Sequence, residues 1–169
     1  FTGQTLLYAR IYIYLPDGFS TSDRLTVMEF IHDTGSWTNI LSTTIDEDMT
    51  LYMWNAVGGE AYGYGTGSQI TTGEWNTLEM MASLTTGEAK LWLNNTLEIE
   101  ATGSLGSDPI NRFATGIFWA NPKNESHYLY IDDVYVYNTS PVPEPDTLLL
   151  LGSGLVGMGA TARRRRRRK

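Results

Sequence analysis

The chain has no cysteine, which removes disulfides, thiol nucleophiles and zinc-thiolate sites together and leaves the redox compartment open. Positive charge is nearly as scarce. Of the 12 Lys and Arg, seven close the chain as Arg163, Arg164, Arg165, Arg166, Arg167, Arg168 and Lys169, so Arg10, Arg24, Lys90, Arg112 and Lys123 alone stand earlier, against 19 Asp and Glu. A body that acidic repels phosphates, and no nucleic-acid partner is expected despite the basic end. Histidine is limited to His32 and His127, neither in a recognisable setting for a general base. Helical periodicity is missing before Thr147. A charged-then-apolar leader is missing too, so an export signal is expected to have been removed or to lie outside this stretch.

What is present reads as β structure. Thr, Tyr, Val and Ile are abundant, Gly numbers 17, and short alternating runs are broken by turn residues about every ten positions. In Leu6 to Leu15, Ala9, Ile11, Ile13 and Leu15 share one face and Tyr8, Arg10, Tyr12 and Tyr14 the other. Further strands are expected at Arg24 to Ile31, Met49 to Ala56, Trp75 to Leu84, Glu88 to Asn95, Thr96 to Ala101, Phe113 to Ala120 and Tyr128 to Asn138. Asn94 and Asn95 suit the positive φ of a two-residue hairpin turn. About eight such strands predict an all-β, antiparallel jelly-roll β-sandwich over residues 1–138. The prolines of residues 139–146 then make an extended linker.

Thr147 to Ala162 carry no charge. As a helix rising about 1.5 Å per residue they would reach roughly 24 Å, short of a bilayer core of about 30 Å. Snorkelling arginines and local thinning can close that gap, giving a transmembrane helix with the basic residues 163–169 on the cytoplasmic side. The order Val142, Pro143, Glu144, Pro145, then an apolar run, then Arg163 to Lys169 resembles the PEP-CTERM sorting signal of Gram-negative bacteria, with Asp146 where a small residue is more usual. The resemblance implies a precursor held at the inner membrane, processing by exosortase near Pro-Glu-Pro, and delivery to the cell surface or the exopolysaccharide matrix of a biofilm.

The stretch from Thr72 to Ala101, with Tyr128 to Asn138 further on, resembles concanavalin A-like, laminin-G-type sandwiches. Such domains usually have strands ahead of the one at Leu6, so the sandwich is expected to be incomplete at its N-terminus. The fold is used for sugar binding, adhesion and glycan cleavage, and does not choose among them. A laminarinase-type hydrolase would show Glu-x-Asp-x-x-Glu on one strand. Asp46, Glu47 and Asp48 are instead adjacent, as in a solvated turn. A lyase needs an Arg or Gln to neutralise a uronate and a Tyr or His to move a proton, and no lyase motif is reproduced.

Sugar binding needs flat aromatics beside polar groups on a face turned from the core. Arg10, Tyr12 and Tyr14 meet that need on one strand, Trp75 with Glu79 on another, and Trp92 with Lys90 and Asn94 on a third. Asp132 and Asp133 interrupt an apolar strand and point to opposite faces, so at least one is expected to face inward or towards an edge, where a buried carboxylate needs a partner. Related sandwiches often hold a structural Ca²⁺ near such an Asp, so Ca²⁺ is the one cofactor expected. An exported carbohydrate-binding sandwich, a polysaccharide lyase or hydrolase of the same fold, and a structural matrix protein without a ligand all remain open at this level.

Overall fold

The computed structural model describes residues 1–22, 24–120 and 128–139. His127, the linker beyond Thr139, the expected membrane helix and the basic tail lie outside the described residues. Contacts gather Phe1–Thr139 into one unit.

Ten strands occur among the described residues. In order they are β1 (Leu6–Tyr14), β2 (Leu25–Asp33), β3 (Trp37–Ile45), β4 (Thr50–Asn55) and β5 (Glu60–Gln69), then β6 (Trp75–Ser83), β7 (Glu88–Leu93), β8 (Thr96–Thr102), β9 (Arg112–Ala120) and β10 (Tyr130–Tyr137). They form two five-stranded sheets, ordered β10-β1-β6-β7-β8 and β5-β4-β3-β2-β9, and every pairing between strands is antiparallel. This is the expected jelly-roll sandwich.

Alternation builds it. In β1, Leu7, Ala9, Ile11 and Ile13 are buried while Tyr8, Arg10, Tyr12 and Tyr14 are not. The inward residues of both sheets meet in one core that includes Ile11, Leu78, Met80 and Leu91 from the first sheet and Met28, Phe30, Leu41 and Met53 from the second. Each fully buried side chain of this size contributes about 1.5–3 kcal/mol relative to exposure. Thr43 Oγ1 donates to Met80 Sδ across the interior at 3.2 Å, which sets β3 opposite β6.

Two turns show local chemistry deciding geometry. Asn94 and Asn95 take φ of 50° and 66°, the left-handed pair that a two-residue hairpin requires. Asn94 Oδ1 also accepts from the Thr77 amide at 2.8 Å. Gly87, at φ +72°, lies so close to the Gly103 carbonyl that a Cβ there would strike it. The Gly103 amide in turn donates to the Gly87 carbonyl, so the β6–β7 turn is pinned to the chain after β8.

Two strands were not expected. β3 reads WTNILSTTI, and a register shift between Phe30 and Ile31 on its partner breaks the alternation that would have marked it. β5 reads EAYGYGTGSQ, and its glycines resemble a loop although Tyr62 packs on the core.

Candidate functional site

The register of the first sheet places all the singled-out aromatic and charged residues of β1, β6 and β7 on its outer face, in rows running across the strands. Tyr130, Tyr14 and Trp75 form one row, Asp132, Tyr12 and Thr77 the next. Tyr135, Arg10, Glu79 and Trp92 form the third, and Tyr137, Tyr8, Met81, Lys90 and Glu100 the fourth. Sequence parity gave the face of each residue. Which strands are neighbours came only from the pairing of β10 with β1 and of β1 with β6.

The first row is aromatic throughout. The Tyr14 ring lies 5.6 Å from Trp75 and 6.0 Å from Tyr130, tilted to both. Trp75 is 50% exposed and Tyr130 56%, so both keep area for a ligand while Tyr14 fixes their spacing. The chain leaving β1 lines a small open cleft of about 230 Å³ from Pro16 to Ser20, together with Tyr128, and none of the three rings of this row lines it. Tyr130 and Tyr135 were not singled out from the sequence, although the alternation of their strand was the available signal.

The third row is charged. Arg10 Nε donates to Glu79 Oε2 at 2.6 Å, and Nη2 lies 2.5 Å from the same oxygen. Burial opposes the guanidinium charge, but the hydrogen bond and charge of Glu79 outweigh it and raise the Arg10 pKa. In the fourth row Tyr8 stacks on Tyr137 at 5.6 Å. Burial first, then the Glu79 charge, push the Tyr137 phenol up to about 12. Its hydroxyl lies in the field of that carboxylate, yet its oxygen makes no hydrogen bond of regular geometry. Lys90 Nζ is held by Glu100 at 2.8 Å and Glu88 at 3.8 Å.

Asp132 and Asp133 sit at a bulge, where β10 shifts register against Arg10 and Tyr12. Asp133 has φ 46°, and its amide donates to Asp132 Oδ1 at 2.8 Å. Both are exposed, so their interruption of the apolar pattern is a backbone device here. Among the described residues no group of three or more His, Asp or Glu is placed to hold a metal. Asp46, Glu47 and Asp48 form the β3–β4 turn, with the Asp46 carboxylate accepting from the Glu47 amide and Asp48 from that of Thr50. His32 Nδ1 is hydrogen-bonded with the Pro109 carbonyl at 2.8 Å.

The second sheet also carries aromatics, of which Trp37, Trp54 and Tyr64 are exposed, and arginines lie against Tyr52, Tyr64 and Trp37. The Arg24 guanidinium lies 4.0 Å over the Tyr52 ring and donates to Tyr64 Oη at 2.5 Å. Arg112 lies 5.3 Å from the Trp37 ring and 2.9 Å from Asp33. A half-buried Glu29 accepts from Asn39 Nδ2 at 2.8 Å, and burial raises its pKa.

An all-β jelly-roll sandwich with an aromatic and polar outer face is therefore the class that fold and site define. Residues 141–168 match the PEP-CTERM protein-sorting motif. The motif marks an exported protein with a membrane-anchored precursor and implies processing by exosortase.

Among solved structures, Trypanosoma rangeli sialidase in complex with a difluoro-KDN is similar over 81% of this chain and 21% of its own, at 6% identity and TM-score 0.61. Domain 4 of AbnA, a GH43 extracellular arabinanase from Geobacillus stearothermophilus, in complex with arabinotriose, is similar over 85% of this chain and 65% of its own, at 19% identity and TM-score 0.56. Alginate lyase AlgAT5 of polysaccharide lyase family 7 is similar over 82% and 60%, at 19% identity and TM-score 0.53. The chain thus spans less than two thirds of each, and at these identities the likeness is one of fold. Comparison with curated protein sequences gives no match.

Proposed function

We propose that the protein is a noncatalytic, exported sandwich that binds polysaccharide on the outer face of its first sheet, at the cell surface or in the exopolysaccharide matrix. The observation that carries this reading is the row of three aromatic rings on three neighbouring strands, two of them half exposed. Sugar rings stack on such faces, and the rigid spacing lowers the entropy lost on binding. The sandwich neighbours that act on glycans are consistent with it.

Two expectations are carried forward with it. A bound Ca²⁺ at Asp132 and Asp133 would need further oxygens besides these two carboxylates. A lyase or hydrolase reading would need a proton-transfer group beside the platform. The test is retention on a panel of immobilised polysaccharides by the full chain in detergent, with residues 163–169 each changed to Gln so that the basic tail contributes nothing. Trp75→Ala combined with Tyr130→Ala should lower retention about tenfold or more, in line with stacking worth roughly 0.5–1.5 kcal/mol per pair plus the lost contact area. Retention unchanged by the double substitution, with or without Ca²⁺, counts against the platform, and chain shortening of the polysaccharide counts for an enzyme.

A further inference from the structure

Resting on the reading of this face as a glycan platform, we propose that it selects uncharged polysaccharide and turns away polyuronates. The reason is how its charges are committed. Among the described residues the strands of this sheet contribute two cations, Arg10 and Lys90, to the outer face. The register sets Glu79, Glu88, Glu100 and Asp132 on the same side. Four carboxylates against two cations leave an excess of two negative charges.

Both cations are already paired with carboxylates of the sheet. Arg10 directs Nε and Nη2 at one Glu79 oxygen, and the Glu79 side chain is only 10% exposed. Drawing Arg10 towards a ligand carboxylate would leave Glu79 buried and unpaired, which is strongly unfavourable. Lys90 is shared by Glu88 and Glu100 and stands in the fourth row, away from the aromatic one. Beside the aromatic row, the second row presents Asp132 against Tyr12. A polyuronate laid along Tyr130, Tyr14 and Trp75 would therefore meet an uncompensated carboxylate, well inside the screening length of about 8–10 Å. An uncharged sugar meets no such penalty, and carboxylate and phenol oxygens accept from its hydroxyl groups.

Arg10, the one cation on the Tyr-rich face of β1, is thus neutralised by Glu79. Like-charge juxtaposition is a familiar way to exclude a wrong partner.

The experiment compares an uncharged β-glucan and an uncharged arabinan with polygalacturonate and alginate, using the full chain in detergent with residues 163–169 each changed to Gln. The expected result is retention on at least one uncharged glycan, little changed between low and high salt, with the polyuronates bound at least about tenfold more weakly even at low salt. Glu79→Gln, which leaves Arg10 uncompensated, should raise polyuronate retention severalfold and make it salt-sensitive while uncharged-glycan retention persists. Should that variant fail to fold, Asp132→Lys on the exposed bulge tests the same point and should give the same gain.

Polyuronate retention equal to or above that of the uncharged glycans overturns this inference and leaves the platform standing. So does the absence of any gain in a folded Glu79→Gln or Asp132→Lys protein. Retention on neither class overturns the platform itself, and the inference falls with it.

Discussion

Glu29 shows how one side chain can weaken a fold that it belongs to. Half-buried on the outer face of the second sheet, its carboxyl has a raised pKa because burial disfavours its charge. A carboxyl whose folded pKa lies above its unfolded value favours folding while protonated, and that contribution is lost as pH rises through the folded pKa. At about pH 7 the charge is therefore a cost. Glu29→Gln should raise unfolding free energy at neutral pH by no more than about 1 kcal/mol, since solvent still screens the site. The advantage should vanish at about pH 3, as read from urea titrations at both pH values. Tyr137 is tuned in the same sense at the alkaline end. Its phenol, pushed up to about 12 from 10.0, holds its proton in the fold where the unfolded chain has released it. Stability should fall as pH climbs from about 10 towards 12, and Tyr137→Phe should flatten that fall. Removing a buried oxygen without a regular hydrogen bond should also leave neutral-pH stability unchanged or higher.

Strands and turns were legible where side chains keep a period of two and where a turn has one chemical solution. The hairpin at Asn94 and Asn95 is the clearest instance, and it fixes the β7–β8 register. Asn95→Val puts a β-branched residue at φ 66°, costing about 1–2 kcal/mol. Thermal unfolding should show the loss, while Asn95→Gly should be tolerated. β3 and β5 escaped because a register shift scrambles the alternation in one and glycine dilutes it in the other. Asp132 and Asp133 stand out in the sequence by their conflict with an apolar strand. Sequence alone offered no way to see that the conflict is resolved by a bulge with Asp133 in the left-handed region. Likewise, the ion pair between Arg10 and Glu79 joins residues on β1 and β6, and only strand pairing reveals it.

The molecule as a whole joins a jelly-roll sandwich to an export address. Its address was fully legible, because three segments in fixed order at one end of the chain identify the PEP-CTERM motif without any folding. Its platform was half legible, because each strand's outward side chains could be read but not the order of strands. That order matters for when the platform comes into being. Tyr130 and Tyr135 belong to β10, the last strand described, which pairs with β1 near the start of the chain. A polypeptide emerging from its N-terminus can form the β6–β7–β8 meander early, but the aromatic row stays two-thirds built until Tyr130 arrives. Closing so long a loop is also among the slowest steps of folding. Any ligand that needs all three rings must therefore wait until nearly all of the described sandwich has folded.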